Sequence, residues 1–111
     1  MPAAFILRRS IDGQFYFVLT AENNETLLTS EMYTAKTSAI KGIRSVRTHA
    51  IRPEAFSRLL STSGQNYFVL RAANLEPIGA SEMYASAQAM ENGITAVRRV
   101  APTAPERDET G

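Results

Sequence analysis

The heptapeptide Gly13-Gln14-Phe15-Tyr16-Phe17-Val18-Leu19 returns as Gly64-Gln65-Asn66-Tyr67-Phe68-Val69-Leu70, and its return decides how the chain must fold. Extended outward at the constant offset, residues 13–50 align with 64–101 without a gap, and 18 of the 38 pairs are identical. The identities include Asn23/Asn74, Ser30-Glu31-Met32-Tyr33 against Ser81-Glu82-Met83-Tyr84, Gly42/Gly93 and Val46/Val97. Phe5 and Phe56 keep the same spacing, so each unit reaches back through a preceding strand. A unit of about 50 residues is marginal alone, and two copies can share one core.

Each unit reads strand, strand, strand, helix. Phe5–Arg9 leads through Ser10-Ile11-Asp12-Gly13, a hairpin signal, into a strand over residues 14–20. Phe15, Phe17 and Leu19 alternate with Tyr16, Val18 and Thr20, which assigns the odd positions to the core face. Turns at Glu22–Glu25 and Ala73–Glu76 precede short third strands, and the shared Asn23/Asn74 is expected in a left-handed conformation. Helices are expected from about Thr34 or Ala35 and from about Ser86, with Ala39, Ile43, Val46 and Met90, Ile94, Val97 forming the apolar stripes. Gly42 and Gly93 fall on those stripes, and their cost to the helix is read as the mark of a close approach.

The ordered segments G-Q-x-Y-F-V-L, A-x-N-x-E, S-E-M-Y and G-I-x-x-V-R, present twice, resemble the YegP-like family of small bacterial tandem-repeat proteins. The resemblance covers Phe5 to Ala101. It implies an α+β fold of two β-β-β-α(-β) repeats in a single antiparallel-rich sheet, with exchanged carboxy-terminal strands around Ile51–Phe56 and Val100–Thr103. The family carries no agreed catalytic or ligand-binding residues, so it implies no activity. Arg58 departs from the pattern, standing where the first copy has Leu7.

On this reading residues 1–111 are one domain of two repeats, about 5–53 and 54–103, and the Pro-containing segment 104–111 is an expected disordered tail. One helical stripe per unit covers one sheet face, so both helices belong on the same side. The opposite face is the expected binding surface, with Arg8, Tyr16, Val18, Tyr67, Val69 and Arg71 as its candidate contacts.

Composition narrows the chemistry. There are no cysteines and one histidine, which excludes disulfides, thiolate nucleophiles and the usual zinc sites. His49 is expected at a helix end, and Asp12 and Asp108 are too few to build a magnesium site. No phosphate loop or Ser/His/Asp arrangement is present, and no metal or cofactor is expected. Glu31 and Glu82 form a repeat-related carboxylate pair, which acid–base chemistry could use; their expected role is to stabilise the positive helix ends.

The 12 basic and 11 acidic residues leave a net charge of +1, without the footprint of a nucleic-acid binder. The favoured function is therefore a non-enzymatic binding or interaction module whose open sheet face contacts a protein or other partner. The alternative is weak single-stranded nucleic-acid binding, with Tyr16 and Tyr67 stacking on bases near Arg8 and Arg71. The amino-terminal segment does not read as a signal peptide and no stretch approaches membrane-spanning length, so a cytoplasmic location is expected. Fused copies satisfy their pseudo-twofold symmetry internally, which favours a monomer.

Overall fold

The computed structural model describes residues 2–111. Its strands are β1 (Ala4–Arg9), β2 (Phe15–Thr20), β3 (Thr26–Ser30), β4 (Phe56–Leu60), β5 (Asn66–Arg71), β6 (Pro77–Ala80) and β7 (Glu106–Asp108); its helices are α1 (Lys36–His49) and α2 (Ala87–Val100). All seven strands form one sheet in the order β4-β5-β6-β3-β2-β1-β7, antiparallel except for the β1–β7 pair. Each unit contributes a three-stranded meander. The two meet where β3 and β6 pair through Thr29↔Ala80 and Ser30↔Gly79.

The alternation read from the sequence explains the packing. Phe5, Phe17, Leu19 and Leu28 from the first half join Phe56, Phe68 and Leu70 from the second in one core, together with Ile43 and Val46 of α1 and Ile94 and Val97 of α2. Both helices therefore cover the same sheet face. Edge-to-face aromatic pairs repeat with the units, Phe5–Phe17 at 5.9 Å and Phe56–Phe68 at 5.6 Å between ring centres. The departure at Arg58 leaves the β4–β5 ladder regular, because its guanidinium reaches over the same face to Glu91 of α2, with Nε and Nη2 at 2.5 and 3.0 Å from the two carboxylate oxygens.

The glycine expectation finds its cause. A Cβ on Gly42 would lie 2.5 Å from the Tyr33 hydroxyl and 2.9 Å from the Phe17 ring, and on Gly93 it would collide with Tyr84. The close approach is thus made chiefly by the tyrosine of the segment that precedes each helix. The turn expectation shifts by one residue. The left-handed positions are Asn24 (φ 70°) and Leu75 (φ 72°), while Asn23 and Asn74 accept hydrogen bonds from the amides of Glu25 and Glu76, both at 3.1 Å. The shared asparagine serves by its side chain, not by its backbone.

The carboxy-terminal strand also moves. Residues 51–55 form a turn and a short 3-10 helix, and 101–103 form a turn, so neither supplies a strand. The exchanged strand is β7, which crosses from the second repeat to pair in parallel with β1 of the first through Phe5↔Glu106, Ile6↔Arg107 and Leu7↔Asp108. The expected disorder of 104–111 is corrected accordingly. Ala104 is buried, Phe5 N–H donates to Pro105 C=O at 2.8 Å, and Glu109 N–H donates to Leu7 C=O at 2.8 Å. Ion pairs replace the apolar period whose absence suggested disorder: Glu106 meets Arg47, Asp108 meets Lys36, and Glu109 meets Arg8 and Arg107.

Candidate sheet-face binding site

Cross-strand register builds the face opposite the helices. One row runs Ile6, Val18, Thr29, Ala80, Val69, Ser57 across six strands. Tyr16 lies to one side of it, opposite Arg8, and Tyr67 to the other, opposite Leu59. With strands ~4.8 Å apart and ~3.3 Å per residue, three strand steps and four residues separate the two tyrosines by about 19 Å. The six expected contact residues share a face and do not form one cluster.

Their environments differ. Val18 is buried against Ala4, Ile6 and Tyr16, forming a small second cluster on this face. Arg8 is 3.7 Å from the Glu109 carboxylate. Arg71 is folded back, its Nε donating to Ser57 Oγ at 3.0 Å and its Nη1 to Leu75 C=O at 3.2 Å. Tyr16, Tyr67 and Val69 remain half-exposed.

The S-E-M-Y segments divide their labour residue by residue. Ser30 Oγ accepts from Phe17 N–H at 2.9 Å and donates to Glu31 C=O at 2.8 Å; Ser81 does the same with Phe68 and Glu82 at the same distances. The hydroxyl thus stands in for a missing ladder carbonyl where the chain leaves β3 or β6 and parts from β2 or β5. Tyr33 rejoins Phe15, and Tyr84 rejoins Asn66, as isolated bridges. Each tyrosine hydroxyl packs beside its helix glycine, and partial burial, with Glu31 or with Glu25 and Glu82 nearby, raises its pKa.

Glu31 and Glu82 are exposed. They leave the antiparallel β3–β6 pair at opposite ends, about four residues or ~13 Å of strand apart, so they do not form a carboxylate pair. Neither helix carries an acidic residue in its first turn, and Glu31 and Glu82 each stand four residues before the capping position, at Ala35 and Ser86. His49 ends α1 as expected, half-buried, with Nδ1 2.8 Å from Ser45 C=O. No group of three metal-ligating side chains occurs among the described residues, and no helix among them is long and apolar enough to cross a membrane.

Met32 and Met83 have no such internal task, yet both copies keep them half in solvent, at 51% and 50% exposure. Met32 lines a groove of about 530 Å³ with Arg9, Ser10, Ile11, Asp12, Gln14 and Tyr16, at the β1–β2 hairpin end of the sheet. Ile11 is fully exposed there. Sequence reasoning had Tyr16 and missed Ile11 and Met32. The available signal for Met32 was its identity with Met83 at a position off the apolar stripes; Ile11 aligns with Thr62 and carried none.

The profile of the DUF1508 family, a domain of unknown function, matches residues 10–55 and again 61–108. The UPF0339 protein YegP of Escherichia coli is 47% identical over 110 residues, covering 99% of this chain and all of the relative, and a UPF0339 protein of Pseudomonas aeruginosa is 44% identical over the same span. The solution structure of E. coli YegP, described as a protein of unknown function, superposes with a TM-score of 0.94 at 48% identity, covering 100% of this chain and 96% of the other. A UPF0339 protein structure from Shewanella oneidensis superposes with a TM-score of 0.92 at 40% identity, covering 99% and 93%.

Proposed function

The chain belongs to the DUF1508 family, and from that premise we propose that it is a non-enzymatic, cytoplasmic interaction module that works as a monomer and binds a protein through the open end of its sheet face. The observation that carries the reading is the groove bounded by Ile11, Tyr16 and Met32, of which Ile11 and Met32 are exposed and serve no core. Four groove positions, Ser10, Gln14, Tyr16 and Met32, recur unchanged in the second copy, as expected of a surface used by both halves. Aromatic and methionine side chains are the types that dominate the buried centre of protein interfaces.

Support for a nucleic-acid reading is thinner. Arg8 and Arg107 share the Glu109 carboxylate, and Arg71 is engaged by Ser57 and Leu75, so the positive charge of this face is partly offset within the chain. The test captures partners from lysate with wild-type chain and with the double variant Met32→Glu, Met83→Glu, both checked for native spectra. A specific protein held by the wild type and lost from the variant is expected; equal capture by both would refute the assignment. Fluorescent single-stranded RNA, titrated at two salt concentrations, checks the alternative. Tight binding that falls steeply with salt and disappears in Tyr16→Ala, Tyr67→Ala would transfer the face to nucleic acid.

A further inference from the structure

Residues 104–109 are attached to the rest of the fold by a narrow set of contacts. All three β7 residues are exposed, and beyond Ala104 the attachment consists of the short parallel ladder and exposed ion pairs. Exposed pairs of this kind contribute little each, ~0–1 kcal/mol. The surface beneath carries three cations, of which Arg47 also donates to Ala101 C=O at 2.9 Å and lies over the Phe5 ring. Along the outer edge of β1, Phe5 N–H and Leu7 C=O point outward, Lys36 and Arg47 of α1 stand on the helix side, and Arg8 stands on the open side. Every carboxylate of β7 and of Glu109 is read by one of these cations.

The repeat supplies an internal control. At the constant offset, Lys36, Arg47 and Arg8 correspond to Ala87, Arg98 and Leu59 beside β4, the other edge of the sheet. Two of the three cations are therefore absent from the twin position, where no strand is added. The cationic frame is specific to the β1 edge and is not inherited from the duplicated unit.

We propose that the outer edge of β1, framed by Lys36, Arg47 and Arg8, is an acceptor site for an extended acidic segment of another protein, with residues 104–109 as its resident competitor. An incoming strand would take over the main-chain bonds to Phe5 and Leu7 and place carboxylates at alternate positions against Lys36 and Arg47, the strand-addition mode of peptide recognition. This edge adjoins the groove at Tyr16, because Arg8 lies opposite Tyr16, but the two tests alter different residues, so either assignment can fail without the other.

The experiment uses the intact chain carrying Arg107→Pro, which cannot take its place in the β7 ladder and adds no cation. The probe is a fluorescein-labelled peptide with the sequence Ala-Pro-Glu-Arg-Asp-Glu-Thr-Gly. The variant should bind it at least tenfold more tightly than wild type does, with shifts confined to β1 and the facing side of α1. Binding should weaken at least fivefold when Lys36→Ala is added, and fail for a peptide with Gln and Asn in place of Glu and Asp. A variant with a native spectrum that binds no peptide, or that binds the uncharged peptide equally well, overturns the proposal. Should Arg107→Pro not fold, excess acidic peptide is titrated into wild type. Faster amide exchange at both Arg107 and Glu109 supports displacement, and unchanged exchange at saturating peptide contradicts it.

Discussion

Ser30 and Ser81 are small polar residues in a buried setting, and their hydroxyls are the partners of the Phe17 and Phe68 amides. Ser30→Ala and Ser81→Ala should each destabilise the chain by about 1–3 kcal/mol in urea denaturation, the cost of a buried donor left unpaired. Similar losses in the two halves are expected, since the geometry is the same in both. Leu75 presents the opposite case. It holds φ at 72°, a conformation that costs a branched side chain ~1–2 kcal/mol, while its repeat partner Asn24 holds 70°. Leu75→Asn should therefore raise stability by about 1 kcal/mol in the same assay, and a loss would show that Leu75 makes packing contacts in solution. This residue also marks a limit of legibility. Two adjacent asparagines in the first turn made Asn23, the shared one, the natural left-handed candidate, yet backbone sign is set by turn geometry and a single shared side chain does not reveal it.

Elements were legible where periodicity was strong and obscure where charge replaced it. Strands β1, β2 and β5 and both helices follow from apolar alternation and the i, i+4, i+7 stripes. Strand β7 has no apolar period, and its order arises from ion pairs to Lys36, Arg47 and Arg8, residues distant in sequence. The Tyr16 groove escaped for a related reason: Ile11 belongs to a hairpin turn, where a lone apolar residue carries no pattern. The helix starts differ in a testable way. Ser86 caps α2 by accepting from Ala89 N–H at 3.0 Å, whereas Ala35 at the start of α1 has no side-chain cap, although its backbone is extended in the same manner. Ala35→Ser should stabilise the chain by about 1 kcal/mol, read as a higher urea midpoint with unchanged slope.

For β7 the prediction concerns pH. The Asp108 carboxyl is held well below the ordinary aspartate range, first by Lys36 and then by the Thr110 hydroxyl and amide. A depressed carboxylate contributes stability above its unfolded value, near ~4, and loses it as pH falls toward the folded value. The Thr110 amide shift should hold from neutral pH down to about 4 and move only in stronger acid; an ordinary aspartate midpoint would show β7 detached.

At the scale of the molecule, duplication produced one sheet and one core. The β3–β6 pair joins the meanders, α1 and α2 share a side, and β7 carries the end of the second unit back to the first. The free face and its groove exist only because both helices lie opposite. That arrangement requires the halves to be energetically a single unit, which residue-resolved urea unfolding of Ile43→Val reports most directly. The substitution removes one methyl group from a fully buried α1 site and should cost about 0.5–1.5 kcal/mol. The midpoints at Phe17 and Leu19 in the first half and at Phe68 and Leu70 in the second should fall together by the same amount; a shift confined to the first half would mean two separate cores and would contradict the account.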